Sequence, residues 1–192
     1  MREDLSWTYT LAGSMNTFNA LGYLIGALLT PRILSQWGAV RVLIGGALMA
    51  SLLMVATGFF SETSILLIQR LLAGMASAAV FVSGGLLAAR LGTHLPAQSG
   101  LLLGIYYGGT GLGISLSAVL VPMAMDLATQ NGQLHAWAWA WWALGLACFA
   151  MTVLLFFIRR SMLQFMPEVN ASTTIDSQAE KRVRKMHWPE WT

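Results

Sequence analysis

The chain has 192 residues, of which 56% are hydrophobic and only 10% are charged, and its formal net charge is +3 at pH 7. Soluble domains usually carry about 25% charged residues, so this chain has too few charges to cover a surface that faces water. The composition excludes an ordinary soluble protein and favours an integral membrane protein. The positive charge does not indicate nucleic-acid binding, because the basic residues fall between apolar segments and near the C-terminus rather than on one helix face.

Five long apolar segments follow one another along the chain. Each can cross a hydrocarbon core of about 30 Å, which takes about 20 residues of helix. Pro31 is expected to end the first segment, because proline cannot continue a regular helix. We therefore predict an all-α, polytopic membrane protein with a transmembrane region over residues 1–158 and a cytoplasmic tail over residues 159–192. The predicted spans are approximately residues 7–29, 40–60, 65–89, 100–125 and 136–158.

The placement of arginine predicts the orientation of these spans. If the first span runs from outside to inside, Arg32, Arg41 and Arg90 lie in cytoplasmic connections, and only Arg2 lies outside. The reverse orientation would violate the rule that cytoplasmic loops are enriched in basic residues. We expect an integral, multi-pass protein of a bacterial inner membrane, with the N-terminus outside and the C-terminus in the cytoplasm.

Two further features bear on this topology. The helix count is odd and no signal peptide precedes the first span, so we expect that one helix before Met1 is missing. Four tryptophans also lie at the start of the last span, where an outer aromatic belt would place them. Interfacial anchoring is therefore preferred over a ligand cage for Trp137, Trp139, Trp141 and Trp142.

Arg70 is the only charged residue well inside a predicted span. A charge at membrane depth costs about 2.5–3.5 kcal/mol on insertion scales, and by default it marks a polar cavity or an ion path. The alternative is that its long side chain reaches the outer interface. In residues 68–78, Arg70 is followed four positions later by Gly74 and then by small residues, which resembles the fourth-helix signature of the major facilitator superfamily. The resemblance implies a role for Arg70 in proton coupling.

A second motif is a glycine-rich stretch over residues 104–114. It resembles the fifth-helix glycine motif of the same superfamily, although Gly109 stands where antiporter branches carry a proline, which argues against an antiporter. A nucleotide-binding glycine loop would need a preceding strand, which this apolar segment does not allow. Close helix packing is the preferred interpretation. The glycines assigned to packing here are Gly104, Gly108, Gly109, Gly111 and Gly113.

The first span carries small and polar residues at helical spacing. Gly22 and Gly26 form a GxxxG ridge, and we assign them, with Gly74, to helix packing. Asn16, Asn19 and Tyr23 lie on one helical face. Their side chains either line a substrate path or form hydrogen bonds between helices.

Residues 4–27 look like the second helix of the YbfB/YjiJ-like branch of the superfamily, and the resemblance covers about residues 5–158. It implies that the five spans correspond to helices two to six of a twelve-helix transporter, without the first helix and the second half. One departure is that residues 30–41 contain no acid. The superfamily's usual charge latch at the cytoplasmic gate is therefore expected to be weakened or absent.

These observations predict membrane transport of an unspecified small solute, coupled to a proton or another gradient. The chain is expected to be inactive alone, or active only with the missing transporter half. The alternative is a small membrane adaptor that assembles with another membrane protein. An enzyme is disfavoured because the spans hold no carboxylate and no histidine. We expect no catalytic residue, metal, cofactor or nucleic-acid partner, and the expected partners are the bilayer, the solute and the missing half.

Overall fold

The computed structural model of the chain describes residues 1–164, of which 88% are helical and none is in a strand. Residues 1–159 form one packed unit. Most of the predicted cytoplasmic tail lies outside the described residues. The helices are α1 (Tyr9–Trp37), α2 (Ala39–Thr57), α3 (Thr63–His94), a short 3-10 helix (Pro96–Gln98), α4 (Ser99–Gln130) and α5 (Ala136–Gln164).

Four of these helices are long and apolar enough to cross a membrane: α2, α3, α4 with the 3-10 helix before it, and α5. The predicted all-α, polytopic membrane fold is confirmed. Helices suit a membrane because they satisfy their backbone hydrogen bonds internally. The first helix, α1, is not among the four, because polar residues such as Asn16 and Asn19 lower its mean hydropathy. That α1 also spans the membrane stays a prediction.

The prediction that Pro31 ends the first helix is wrong, since α1 continues through Pro31 to Trp37. Pro31 is exposed, so its ring is not buried against another helix of residues 1–164. A proline inside a helix removes one backbone hydrogen bond, and transmembrane helices tolerate that loss. Helices α3 and α4 likewise extend beyond their predicted spans, to His94 and Gln130.

The connection between α1 and α2 is a single residue, Gly38, rather than the predicted loop over residues 30–41. Its φ of 77° lies in the left-handed region that favours glycine. The Gly38 N–H donates a hydrogen bond to the Leu34 carbonyl oxygen at 2.9 Å, which closes the end of α1. The chain therefore reverses direction within one residue, and α2 starts immediately.

α3 lies at the centre of the packing, in contact with α1, α2 and α4. It runs beside α1 in the same direction, and their contact depends on glycine. A Cβ atom added at Gly22 would overlap the Leu71 carbonyl oxygen, and one added at Gly74 would overlap the Asn19 carbonyl oxygen. At Gly26 an added Cβ would lie 2.7 Å from the Met75 Cα. The two backbones touch directly, as small residues allow in membrane helices.

Helices α2 and α5 pack around this pair. At Gly46 of α2, an added Cβ would lie 3.1 Å from the Val80 side chain of α3. At Gly145 of α5, it would lie 2.6 Å from the Val55 side chain of α2. The indole of Trp142 covers Gly58, just after α2 ends. A glycine therefore lies at each of these helix contacts.

A polar contact joins the N-terminal segment to the start of α5. The Asp4 carboxylate accepts a hydrogen bond from the Trp137 indole N–H at 2.6 Å, and the His135 Nδ1 lies 2.7 Å from the same oxygen. These hydrogen bonds, that to His135 first, lower the pKa of Asp4 below its ordinary value. Asp4 and His135, which are 131 positions apart in the chain, are thereby held together at one end of the helices.

The first prediction tests the glycine contact between α1 and α3. We expect Gly74→Ala to destabilise the chain by about 1–3 kcal/mol, the usual cost of overpacking, because the new methyl group meets backbone rather than a movable side chain. The measurement is the thermal unfolding midpoint of the purified chain in detergent.

Gly85→Ala is the matched control on the same helix, because its added Cβ would lie 3.5 Å from the nearest Tyr106 atom, an ordinary contact. This variant gains helix propensity of about 0.5–1 kcal/mol over glycine and should not lower the midpoint. Equal midpoints for Gly74→Ala and Gly85→Ala would show that the α1–α3 contact does not need a glycine.

The second prediction concerns Asp4. Because its pKa is lowered, the carboxylate keeps its hydrogen bonds at every pH above the ordinary value of about 3.9 and loses them only as the pH falls through its lower value in the folded chain. The indole N–H resonance of Trp137, measured by NMR in detergent micelles, reports this bond. We expect Asp4→Asn to shift the resonance at pH 7, and the wild-type chain to undergo a comparable shift only below about pH 4.

Glu3→Gln is the control for this experiment. Glu3 is also an exposed carboxylate, but its partner is the adjacent Arg2 at 2.8 Å and not α5. If the Trp137 resonance has the same position in Asp4→Asn and in Glu3→Gln, the Asp4 contact has no role in holding α5.

Candidate functional site

The guanidinium of Arg70 lies where α2 ends and α5 begins. Its Nη2 donates a hydrogen bond to the Thr57 hydroxyl oxygen at 3.1 Å. Its central carbon lies 4.0 Å from the centre of the Trp141 ring, a cation–π distance. Thr57 is buried, and its hydroxyl donates in turn to the Leu53 carbonyl oxygen at 2.8 Å. Three helices therefore meet at the Arg70 side chain, which is half-buried.

A cavity of about 250 Å³ lies beside Arg70. Asn16 of α1 and Trp141 of α5 also line it, together with Arg2 and Trp7 from the N-terminal segment. Among residues 1–164, no carboxylate lines the cavity. The cavity is thus lined by the guanidinium groups of Arg2 and Arg70, the amide of Asn16 and apolar side chains.

Arg70 has no ion-pair partner among residues 1–164, where the only pairs are Arg2 with Glu3 and His135 with Asp4. A guanidinium has five N–H donors in a planar fork, and the one protein acceptor of Arg70 takes a single bond. The remaining donors suit a carboxylate or phosphate that accepts two parallel hydrogen bonds. Chemically, the cavity can hold an anionic group.

The structure brings together only two of the four residues predicted for the cavity or coupling site. Asn16 and Arg70 share the cavity, whereas Asn19 and Tyr23 do not line it. Asn19 and Tyr23 instead lie at the α1–α3 contact, where their backbone atoms face Gly74. The Tyr23 ring packs 6.4 Å from that of Phe81.

The predicted packing glycines divide into two groups. Gly22, Gly26 and Gly74 lie at backbone contacts between α1 and α3, as described above. Among the described residues, the α4 glycines have no heavy atom of another element within 4 Å of where a Cβ would stand, so their packing role stays a prediction. They are Gly104, Gly108, Gly109, Gly111 and Gly113.

α4 instead contacts α3 through aromatic residues. Tyr106 covers Gly84 of α3, and its hydroxyl donates a hydrogen bond to the Phe81 carbonyl oxygen at 2.6 Å. Of the whole helix only Ala128 is buried. The glycine-rich face of α4 is therefore open to whatever surrounds the described residues.

Sequence reasoning did not identify Thr57 and Trp141 as neighbours of Arg70. Trp141 is one of four closely spaced tryptophans, and their density indicated an interface rather than a contact. Thr57 lies in an apolar segment with nothing to distinguish it. The only available signal is that both residues lie near the end of a predicted span, at the same membrane side as the start of α3.

Within residues 1–164 no group of three or more histidine, cysteine, aspartate or glutamate side chains is placed to hold a metal ion. No match to the chain was found among curated proteins or among solved structures. The family model described as "Uncharacterised MFS-type transporter YbfB" matches residues 1–188. That match covers nearly the whole chain and agrees with the resemblance of the Arg70 and α4 motifs. The chain is therefore an integral, multi-pass membrane protein that belongs to the YbfB-like family of major facilitator superfamily transporters.

Proposed function

We propose that this chain takes part in gradient-coupled transport of a small solute. We also propose that the positive charge of Arg70 takes part in the coupling. Membership of a transporter family supports transport in general. The observation that carries the proposal is that Arg70 is half-buried beside a cavity and has no carboxylate partner among the described residues.

The physical argument concerns competition for a carboxylate. An intramembrane guanidinium stabilises the ionised form of a nearby carboxylate relative to its protonated form. A proton that neutralises the carboxylate weakens its bond to Arg70, so protonation and movement of the carboxylate are linked. None of the described residues that line this cavity carries a carboxylate, so we propose that the carboxylate belongs either to the solute or to another helix.

The proposal includes further transmembrane helices. α4 has one buried residue, and its glycines offer a face where another helix backbone can approach closely. Transporters of this superfamily hold their solute between two helical halves. We propose that the partner is the complementary half, and that this chain alone does not transport. The same open face also supports the alternative of an adaptor, which would have a stable stoichiometric partner that is not a transporter half.

The proposed orientation places the N-terminus outside and the C-terminus in the cytoplasm. Arg32, Arg41 and Arg90 lie at the ends of α1 and α3 and the start of α2, which is one end of the helices, and Arg2 lies at the other. This asymmetry is the one that the positive-inside rule requires.

The third prediction tests this orientation with reporters that are active on one side of the membrane. We expect extracytoplasmic reporters to be active after Ser61 and Asn131, and a cytoplasmic reporter after Gln98. A fusion to an unmodified cytoplasmic protein serves as the control. Cytoplasmic activity at Ser61 or Asn131 would reverse the orientation.

The fourth prediction concerns Arg70. In membrane vesicles that contain the chain with its complementary helices, we expect Arg70→Ala and Arg70→Lys both to reduce uptake driven by a proton gradient. Alanine removes the charge, and lysine keeps it but loses the planar fork that holds two oxygens. The measurement is uptake from a panel of radiolabelled organic acids, amino acids and cationic drugs, with and without the gradient. Loss of a charge-assisted hydrogen bond worth about 1.5–3 kcal/mol predicts a decrease of about tenfold or more.

Arg32→Lys is the matched control, because Arg32 is an exposed arginine outside the cavity. Membrane levels of all variants must be equal. Wild-type uptake by Arg70→Lys would indicate that Arg70 only extends to the interface, where lysine serves as well. Gradient-dependent uptake that persists in Arg70→Ala would end the coupling proposal, and isolation of a stable partner that is not a transporter half would favour the adaptor.

A further inference from the structure

A second cavity, unrelated to Arg70, opens between α1, α2 and α3 at the end where Gly38 joins α1 to α2. Its volume is about 310 Å³, near the lower end of the range of about 300–1,000 Å³ that is typical of small-molecule sites. Small residues form its floor, among them Gly26 and Ala76, and the exposed side chains of Leu29, Ile33 and Met49 form its walls. We call this cavity the α1–α3 groove.

The α1–α3 groove offers apolar contact and almost no hydrogen bonding. Within residues 1–164, Thr30 is the only hydroxyl residue that lines it. Thr30 is buried, and its hydroxyl already donates to the Gly26 carbonyl oxygen at 2.6 Å. A polar solute would lose its hydration here without compensation, whereas an alkyl chain would not. The groove therefore fits a hydrocarbon occupant.

One charged residue lies at the mouth of the groove. Arg41 is exposed in the first turn of α2, and of the described residues it is the only charged one that lines the groove. Arg41 takes part in neither of the two ion pairs found in residues 1–164. The first turn of α2 contains no acid, and no side chain caps its N-terminus, so the helix dipole also favours an anion there. An apolar channel that ends at a cation complements an alkyl chain that ends at an anionic headgroup.

Trp37 also lines the groove near this mouth and is exposed. Tryptophan and arginine are the residues that typically lie at the level of lipid headgroups. These residue types favour a mouth at a membrane interface, with the apolar part of the groove within the hydrocarbon layer. A lipid can then enter sideways without leaving the bilayer.

We propose that the α1–α3 groove binds one acyl chain of an anionic phospholipid and that Arg41 binds its phosphate group. The proposal rests on membrane insertion, which the family membership establishes, and not on the proposed transport activity. Its specific feature is that one acyl chain occupies a defined place on the protein, whereas ordinary boundary lipids exchange over the whole apolar surface.

The fifth prediction separates the groove from ordinary boundary lipid. Gly45 lines the groove, and a Cβ added there meets no atom within 4 Å, so Gly45→Phe adds a bulky apolar side chain at the groove with no clash at its Cβ. The probe is phosphatidylglycerol with a photoreactive acyl chain, in nanodiscs of phosphatidylcholine that hold the full chain. We expect wild-type protein to be labelled at Leu29 and Met49, as read by peptide mass spectrometry, and Gly45→Phe to lose this labelling.

Two matched controls accompany the experiment. Gly13→Phe adds the same side chain at another open glycine outside the groove and should keep the labelling. For the headgroup, Arg41→Gln should lower the preference for phosphatidylglycerol over phosphatidylcholine about fivefold, which corresponds to about 1 kcal/mol per basic residue at the membrane surface. Arg32→Gln, which removes an exposed arginine that does not line the groove, should leave that preference unchanged.

Three results would overturn the proposal. Labelling at Leu29 and Met49 that is equal in wild type and Gly45→Phe would mean that boundary lipid alone is labelled. Equal effects of Arg41→Gln and Arg32→Gln would exclude a specific phosphate site at Arg41. A dimer whose crosslinks cover the groove, and which Gly45→Phe dissociates, would show that a second copy of the chain is the occupant.

Discussion

The direct backbone contact between α1 and α3 is the constraint on which the rest of the structure depends. Water drives helices together in soluble proteins, but lipid tails are as apolar as leucine and supply no such force. Association must come from close packing. Gly22 and Gly26 on one helix and Gly74 on the other remove the side chains that would keep the backbones apart. Because α3 also contacts α2 and α4, the position of α3 against α1 determines where the other helices lie.

This packing also determines what surrounds Arg70. Arg70 precedes Gly74 by four residues, about one helical turn, so the contact that anchors Gly74 also holds Arg70 at a defined depth. The end of α2 then supplies the Thr57 hydroxyl, and the start of α5 supplies the Trp141 ring. These two contacts reduce the cost of placing a guanidinium in a span without neutralising it. A full ion pair would satisfy the charge, whereas a hydroxyl and an aromatic face leave donors for another group.

The glycines of α1 and α3 and the glycines of α4 have different surroundings. On α1 and α3, glycines meet the backbone of another helix, and an added methyl group has no space. On α4, five glycines between Gly104 and Gly113 meet nothing within 4 Å in the part of the chain that is described. Sequence reasoning assigned packing to both groups on the same grounds. The two groups differ in whether another helix lies beside them. A motif within one helix carries no information about which neighbouring helix is present.

The sequence alone determined the class of the protein, because charge content and the length of apolar segments reflect the cost of burying charge in a bilayer, which is a local property of the chain. It also identified Arg70 and the superfamily motifs, since both are patterns within one helix. Only the tertiary structure decided that α1 continues through Pro31, because the lost backbone hydrogen bond alone does not determine whether a helix ends at a proline. Contacts between distant positions, such as Arg70 with Trp141 or Asp4 with His135, arise from helix placement in three dimensions, which no spacing along a single sequence encodes.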